Sequence, residues 1–225
     1  LETHRINTEG TINILEACRK LENKPAILNT STSEVYGNSE GILSENSVPC
    51  PNTHYGASKY CQDIIGRMYF QAYGLPVVTT RSFNVTGAKR ADVFADSSFA
   101  KQIAEIEKGK REPIITHGDI SKERDFADVS DVIEAYILAL RSKQYGEVFI
   151  IGSGTARKMS DVLEMLISLS TEKNISDKIN PMLLRPIDTK TMTADTSKLK
   201  ALGWSPKISF EQSMLNLLNY WRNRI

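Results

Sequence analysis

The chain has 225 residues, of which 40% are apolar and 24% charged, and its formal net charge at pH 7 is +1. This composition predicts a soluble globular protein with one large domain, or a domain and a smaller lobe, and the near-zero charge argues against a nucleic-acid-binding protein. Three cysteines and three histidines without metal-type spacing argue against a disulfide framework or a metal site. Without a long apolar run or a signal-peptide pattern, we expect a cytoplasmic protein that does not enter membranes.

Helix-like and strand-like segments alternate from the first residues onward. Apolar residues at helical spacing predict a helix over residues 7–21, and "KPAILNTSTS" follows as a buried strand that ends in hydroxyl residues. The next helix is predicted from His54 to Tyr73, ending at Gly74, and "LPVVTTRSFN" is typical of a second buried strand.

The same alternation continues to the C-terminus. Further helices are predicted at "SSFAKQIAEIEKG", "VSDVIEAYILALRS", "MSDVLEMLISLS" and "FEQSMLNLLNYWRNR", and further strands at "EPIITHG" and "GEVFIIGSG". Strands and helices in this order predict an α/β fold, with a doubly wound parallel sheet that carries helices on both faces.

The N-terminal region lacks the usual opening of a nucleotide-binding sheet, which is a strand, a glycine-rich turn and a helix. The first glycines, Gly10, Gly37 and Gly41, form no G-x-G-x-x-G pattern, and Leu1 already lies within a helix-like segment. We therefore expect about 70 to 90 residues, two to three β-α units, to precede Leu1.

Tyr55 and Lys59 are the first candidates for chemistry. At positions i and i+4 of a helix they share one face at about 5 to 6 Å. A neighbouring ammonium favours a phenolate and lowers the tyrosine pKa from about 10, and a shift of roughly 3 units requires about 4 kcal/mol. Tyr55 could then exchange a proton with a substrate oxygen. By chance, roughly half a Y-x-x-x-K match is expected in such a chain, so the pair alone also fits an ordinary helix surface.

Hydroxyl residues end the strand that precedes this helix, namely Thr30, Ser31, Thr32 and Ser33. Ligands bind at the carboxyl ends of parallel strands in this architecture, so a hydroxyl there can bond the same substrate oxygen as Tyr55. The alternative is that Thr30 and Ser31 cap the following turn.

Three motifs in order, "TSEVYG", "YGASK" and "RSFN", resemble the extended short-chain dehydrogenase/reductase family in its nucleotide-sugar epimerase/dehydratase branch. The resemblance runs along the whole chain and implies NAD or NADP as cofactor and a nucleotide sugar as substrate. It implies catalytic roles for Thr32, Tyr55 and Lys59. It also implies a set of cofactor contacts: Asn7, Thr30, Ser31, Tyr55, Lys59 and Phe83.

Substrate contacts follow from the same resemblance. Asn84 and Thr32 are expected to contact the sugar nucleotide, and "ERDFADVSDV" and "LLRPID" place Arg124 and Arg185 at its diphosphate or ribose. Arginine suits this task because its planar fork binds phosphate oxygens in pairs. From local sequence alone, Arg124 and Asp125 could equally form a surface ion pair.

Glu34 bears on which reaction the chain catalyses. In nucleotide-sugar 4,6-dehydratases a Thr-x-Glu at this point supplies the carboxylate that removes the C5 proton, but related 4-ketoreductases also carry an acid nearby. The later segments resemble GDP-6-deoxy-4-keto-mannose reductases first and GDP-mannose 4,6-dehydratases second. Reduction of a 4-keto GDP-sugar is therefore our first hypothesis, dehydration of GDP-mannose the second, and 4-epimerisation of a UDP-sugar the third.

The resemblance also predicts the organisation of the chain. We expect residues 1–87 and 112–151 to form the remainder of a Rossmann-type dinucleotide-binding domain, and residues 88–111 and 152–225 to form a smaller α/β substrate-binding lobe. A homodimer through the helix that carries Tyr55 is implied as well. An inactive, truncated relative kept for binding or assembly is the alternative, and a glycine-rich turn encoded upstream of Leu1 would favour the enzyme.

Overall fold

The computed structural model describes residues 1–184 and 191–225. Elements of the first part are α1 (Glu2–His4), a π-helical turn (Arg5–Glu9), α2 (Gly10–Arg19), β1 (Ile27–Thr32), a 3-10 turn (Ser33–Tyr36), β2 (Gly41–Leu43), α3 (His54–Tyr73), β3 (Val77–Ser82) and β4 (Asn84–Thr86). They are followed by α4 (Ala95–Glu107), β5 (Ile114–His117), β6 (Glu123–Asp128), α5 (Val129–Arg141), β7 (Val148–Ile151), β8 (Ala156–Lys158), α6 (Met159–Ser168), β9 (Ser176–Ile179), a 3-10 turn (Pro181–Leu183), β10 (Met192–Ala194), α7 (Ser197–Ala201) and α8 (Phe210–Arg222).

The central sheet is parallel and has the strand order β1-β3-β7. Apolar residues of α5, namely Val132, Ala135 and Ala139, share a buried cluster with Val78 of β3. Tyr69 of α3 packs with Val77, the neighbouring β3 residue, in another cluster. Because successive strand residues point to opposite faces, α3 and α5 cover the two faces of the sheet. This arrangement confirms the predicted doubly wound α/β fold.

Helix α3 has the predicted bounds, and its ends show why. Thr53 is the N-cap and accepts a hydrogen bond from the Gly56 amide through its hydroxyl, while Gly74 ends the helix in the left-handed conformation with φ of 61°. Gly56 lies so close to the backbone of Glu34 that a Cβ there would stand 2.6 Å from its carbonyl oxygen. The first turn of α3 is therefore held against the segment that follows β1.

Smaller sheets and a separate core lie outside the central sheet. β4, β6 and β8 form a three-stranded sheet, and β5 pairs with β9 and β2 with β10. Residues of α4, α6 and α8 form the largest buried cluster, which also includes Ile115 of β5. Packing thus groups β5 with these helices, while the proposed division of the chain into two lobes stays a prediction.

Several elements differ from the sequence-based expectation. The predicted strand over residues 75–84 is interrupted at Phe83 and continues as β4, and the predicted first helix begins with a π-helical turn. The short strands β2, β8 and β10 and the charged strand β6, "ERDFAD", were not predicted, because tertiary partners rather than an apolar pattern stabilise them. In the described part of the chain, no helix has the length and apolarity needed to cross a membrane.

Candidate active site

Tyr55 lies in the first turn of α3, where the close approach of Gly56 brings it to the carboxyl end of β1. The side chain of Thr32, the last residue of β1, lies close enough to the Tyr55 hydroxyl to influence its pKa. The Thr32 hydroxyl accepts a bond of 3.3 Å from the Glu34 amide, which fixes its position. Tyr55 is 43% exposed, so a ligand can reach it from solvent. The structure therefore brings two of the predicted catalytic residues close together.

The environment of Tyr55 raises the pKa of its hydroxyl above the ordinary value of 10. Loss of water around the hydroxyl is the largest cause, and the negative charge of Glu34 adds to it, whereas the nearby Thr32 hydroxyl acts in the opposite direction. The Tyr55–Lys59 spacing predicts a lowered pKa, and the structure shows the reverse direction. Tyr55 is thus a neutral phenol at neutral pH, so it carries a proton to donate, but the raised pKa makes it a weaker acid than an ordinary tyrosine.

Lys59 is half-buried on the same helix, one turn after Tyr55. Its ammonium donates a 2.7 Å hydrogen bond to the side-chain oxygen of Gln62, whose amide group in turn donates to Asn29 of β1. Asn29 donates to Thr79 of β3, so a chain of buried amides connects the lysine to two strands. Burial lowers the pKa of Lys59. The sequence patterns did not indicate this support, because it joins residues from three elements.

Glu34 stands beside Tyr55 and at the start of α3. Its carboxylate accepts a 3.3 Å hydrogen bond from the Thr53 hydroxyl, the N-cap of that helix. The influence of its charge on the Tyr55 pKa places it within electrostatic range of the phenol. A carboxylate in this position can act as a base toward a substrate or tune Tyr55.

The predicted cofactor contacts gather around α3 and β1. Asn7 donates a 2.9 Å hydrogen bond to the hydroxyl of Ser58, which donates to the Tyr55 carbonyl. The hydroxyl of Ser31 is 3.4 Å from the Lys59 carbonyl, and Thr30 lies half-buried one residue earlier on β1. In this structure Asn7 and Ser31 hold the helix that carries Tyr55 and Lys59.

The other predicted site residues, Phe83, Asn84 and Arg124, have different structural partners. Phe83 is buried with Val35 and Tyr36 in one cluster, at the junction of β3 and β4. Asn84 donates a 3.3 Å hydrogen bond to the Asp125 carbonyl, and Arg124 donates to the Glu123 carbonyl at 2.7 Å. Asn84 thereby joins β4 to the strand that carries Arg124. Arg185 lies outside the described residues.

Two buried acids organise these elements: Asp63, which the sequence patterns did not indicate, and Asp125, whose burial is incompatible with the surface ion pair that the sequence allowed. Asp125, fully buried, accepts four hydrogen bonds, which come from the backbone amides of Ser153, Gly154 and Ala194 and the hydroxyl of Ser153. Asp63 of α3 pairs with Arg81 of β3 at 2.7 Å, and Arg81 also donates to the Tyr36 hydroxyl. The letters "RDF" and "RSFN" contain Asp125 and Arg81, but only the fold shows their partners.

Comparisons with known proteins agree with the motifs. The family model for GDP-mannose 4,6 dehydratase matches residues 1–216. GDP-6-deoxy-D-mannose reductase from Pseudomonas aeruginosa is 30% identical over 227 residues, which cover 99% of this chain and 74% of that protein. A trifunctional UDP-glucose 4,6-dehydratase/UDP-4-keto-6-deoxy-D-glucose 3,5-epimerase/UDP-4-keto-L-rhamnose-reductase from Arabidopsis thaliana is 32% identical, over 96% of this chain and 32% of that protein.

A solved structure extends the similarity to three dimensions. RMD from Pseudomonas aeruginosa, solved in complex with NADPH, matches with a TM-score of 0.92 and 29% identity, over 99% of this chain and 75% of that chain. This chain is thus similar to about three quarters of that structure. The nearly complete match of the family model and the 30% identity to the reductase show that this chain belongs to the GDP-mannose 4,6 dehydratase family.

Proposed function

We propose that this chain carries the sugar-binding and proton-transfer part of an NAD(P)-dependent nucleotide-sugar reductase that acts on a GDP-4-keto-6-deoxyhexose. One observation carries the proposal: the Tyr55 hydroxyl, on the first turn of α3, is accessible to a ligand and lies close to Thr32 at the carboxyl end of β1. Reduction of a ketone requires a proton donor at the oxygen, and a protonated phenol meets that requirement. The similarity to GDP-6-deoxy-D-mannose reductase supports the choice of substrate.

In the proposed reaction Tyr55 donates its proton to the 4-keto oxygen while Thr32 orients the phenol. Lys59, one helical turn away, supplies positive charge near the phenolate that Tyr55 leaves behind. Asn84 and Arg124 are our candidates for contacts to the sugar nucleotide, since Asn84 is bonded to the strand that carries Arg124. Arg185 is a further candidate from sequence alone.

The groups at the end of β1 fit a nicotinamide dinucleotide, which the similarity to the NADPH complex of RMD also supports. Lys59 and the hydroxyls of Thr30 and Tyr55 are the types of donor that bind ribose oxygens. Thr80, the register partner of Thr30, has a buried hydroxyl without a hydrogen-bond partner among the described residues, so this strand end has unused bonding capacity. When bound, NADH or NADPH supplies the hydride.

Dehydration of GDP-mannose is the second candidate, and Glu34 is the observation that favours it. Its carboxylate lies within electrostatic range of Tyr55 and follows Thr32 in the Thr-x-Glu pattern. Removal of the C5 proton needs such a base. The family model that matches this chain is also that of a dehydratase.

An assay with two substrates separates the candidates. The chain, alone and joined to any sequence encoded upstream of Leu1, is incubated with GDP-4-keto-6-deoxymannose and NADPH, and separately with GDP-mannose and NADP. We expect NADPH absorbance to fall only with the keto sugar. A 4-keto product from GDP-mannose would overturn the reductase in favour of the dehydratase, and inactivity of both forms would favour the inactive relative.

Glu34→Gln provides an independent test of the same choice. For a reductase we expect activity to stay within about tenfold of the unmodified protein, because Glu34 only tunes Tyr55. For a dehydratase the loss of a general base costs about 100- to 10,000-fold. Glu22→Gln, a substitution of an exposed acid between α2 and β1, is the matched control.

We also propose a homodimer through the outer faces of α2 and α3. Ile14 of α2 is 61% exposed, and Ile64 and Met68 of α3 are 44% and 45% exposed, so two adjacent helices present apolar side chains to solvent. A two-fold axis would pair these helices with those of a second copy and cover the side chains. Light scattering after gel filtration tests this proposal. We expect a dimer that Met68→Arg converts to a monomer and that Ile133→Arg, at an exposed isoleucine of α5, leaves intact; a monomeric unmodified protein would contradict the proposal.

A cytoplasmic location is the remaining part of the proposal. All three cysteines, Cys18, Cys50 and Cys61, are unpaired thiols, which fits a reducing compartment. Cell fractionation tests it, and recovery of the protein outside the cytoplasmic fraction would contradict it.

A further inference from the structure

A buried side-chain amide, that of Gln62, contacts the ammonium of Lys59 on the inner side of α3. Lys59, Gln62 and Gly66 lie at positions i, i+3 and i+7 of this helix, so they share one side. The side-chain oxygen of Gln62 accepts a 2.7 Å hydrogen bond from Lys59, and its amide group donates a 2.7 Å bond to the side-chain oxygen of Asn29 on β1. Two amides thus connect the ammonium to the central sheet.

The direction of these hydrogen bonds follows from the two ends of the network. At one end, the Asn29 amide group donates a 3.0 Å bond to the backbone carbonyl of Gln62, which can only accept. The side-chain oxygen of Asn29 must therefore accept from Gln62, and the side-chain oxygen of Gln62 is turned toward Lys59. At the other end, an ammonium can only donate. One arrangement of the two amides satisfies all of these bonds, and it presents an acceptor to Lys59.

Packing alone does not account for this network. Asn29 and Gln62 are 4% and 9% exposed, and an apolar side chain of similar length would fill position 62 without needing a hydrogen-bond partner. Gly66 makes room for Asn29, because a Cβ on Gly66 would lie 2.5 Å from the nitrogen of the Asn29 amide group. The fold therefore accommodates a buried polar network that ends at the Lys59 ammonium.

The ammonium keeps donors for a ligand. It has three N–H groups, and in the part of the chain that the structure describes Gln62 is its hydrogen-bond acceptor. Two N–H groups therefore remain for a bound molecule. Burial lowers the pKa of Lys59, so a fixed acceptor also favours the charged form that has three donors.

We propose that Gln62 is a positioning residue of this site: its amide, fixed by Asn29, holds the Lys59 ammonium so that two of its protons remain for a ligand with adjacent hydroxyls, such as a ribose. This inference rests on the proposed function, in which Lys59 binds the nicotinamide dinucleotide. Gln62 is buried and acts through Lys59, and it forms no bond to the ligand in this account.

The first test measures the ionisation of Lys59 without any ligand. Lysine labelled with ¹³C at Cε is incorporated, the Lys59 resonance is assigned with Lys59→Arg, and its titration is followed by NMR in the complete chain. Gln62→Met keeps the length of the side chain but removes the acceptor, so we expect the Lys59 midpoint to move to lower pH. Gln62→Glu supplies a carboxylate, so we expect the midpoint to move to higher pH. A role in packing alone would not produce shifts of opposite sign.

Gln102→Met is the matched control. Gln102 is a glutamine of α4 that is also buried, and its side chain bonds the backbone of Thr116. We expect this substitution to leave the Lys59 midpoint unchanged. An unchanged midpoint in Gln62→Met, or shifts in the same direction in Gln62→Met and Gln62→Glu, would overturn the inference. If Gln62→Met fails to fold, an unchanged midpoint in Gln62→Glu would overturn it instead.

The second test measures the affinity for NADPH by fluorescence titration. The chain is used alone and joined to any sequence encoded upstream of Leu1. We expect Gln62→Met to weaken binding about two- to tenfold, the value of one hydrogen bond, and Gln102→Met to leave it unchanged. Equally tight binding by Gln62→Met and the unmodified protein would overturn the inference. If neither form of the unmodified protein binds NADPH but the Lys59 midpoints move as expected, the proposed function fails and the anchoring of Lys59 by Gln62 is supported.

Discussion

The Tyr55 end of α3 and the Asp125 junction of β6 use polar side chains in opposite ways. Tyr55 is 43% exposed, and its hydroxyl lies close to the side chain of Thr32. Asp125 is fully buried and accepts hydrogen bonds from the segments at Ser153, Gly154 and Ala194. Asp63, bonded to Arg67 and Arg81, resembles Asp125 in its burial.

This difference distinguishes residues that can contact a ligand from residues that stabilise the fold. An accessible hydroxyl can exchange a bond with a ligand, whereas a saturated buried carboxylate cannot leave its partners without leaving donors unpaired. Substitutions near Tyr55 should therefore change activity with little effect on stability, and substitutions of the buried acids should change stability first. The following predictions test that separation, in order of decreasing effect.

Tyr55→Phe removes the proton donor and leaves the ring. We expect kcat to fall about 100- to 10,000-fold, the usual contribution of a general acid. Because the hydroxyl is partly exposed, the free energy of unfolding should change little. Kinetics and urea unfolding of the same protein preparation measure both quantities. Retained turnover would show that Tyr55 is not the donor, and a large loss of stability would remove the separation between the two regions.

Asp63→Ala leaves the buried guanidinium of Arg81 without its 2.7 Å partner. We expect the free energy of unfolding to fall by about 3–5 kcal/mol, because an uncompensated charge remains inside the protein. Asp92→Ala is the control, since Asp92 forms an exposed pair with Lys101 and should matter little. Equal effects of the two substitutions in urea unfolding would contradict the anchoring role of Asp63.

Asp125→Asn keeps the size of the side chain but turns an N–H group toward donors. We expect a loss of about 1–3 kcal/mol, the cost of leaving buried donors unpaired. Hydrogen exchange of the Ser153, Gly154 and Ala194 amides checks the location of the effect, and these amides should lose protection before those of β3. Unchanged protection at these three positions would show that Asp125 does not hold the junction.

Thr53→Ala lies between the two regions, because Thr53 caps α3 and donates to Glu34. We expect a loss of about 1 kcal/mol in unfolding free energy, the usual value of an N-cap. Thr53→Ser keeps the hydroxyl and should restore most of that stability. If serine does no better than alanine in thermal unfolding, the cap is not what stabilises the start of α3.

The local features of this protein could be predicted from sequence. The C-terminal end of α3 follows from Gly74, and Thr32 and Tyr55 were selected from their motifs. The support around them could not be predicted, because the bonds from Lys59 to Gln62 and from Asp63 to Arg81 depend on how α3 packs against the sheet.

Strand β6 illustrates the same limit. Its letters "ERDFAD" carry charges at positions that the fold buries, and the partners of Asp125 lie 28 or more residues later in the chain. The pKa of Tyr55 was expected to fall because Lys59 is near in sequence. Instead the pKa rises, because the Tyr55 hydroxyl is partly buried and close to Glu34. Both features depend on the packing of the segment after β1, which the sequence does not reveal.

The transfer of deuterium to the sugar tests the central claim most directly. The chain, joined to any sequence encoded upstream of Leu1, is incubated with GDP-4-keto-6-deoxymannose and NADPH that carries deuterium at both positions of nicotinamide C4, and the sugar is analysed by NMR. We predict deuterium at C4 of the sugar with the unmodified protein and almost none with Tyr55→Phe. An unlabelled keto sugar after incubation with the unmodified protein, or equal labelling by the two proteins, would contradict the proposal that Tyr55 donates the proton in a net reduction.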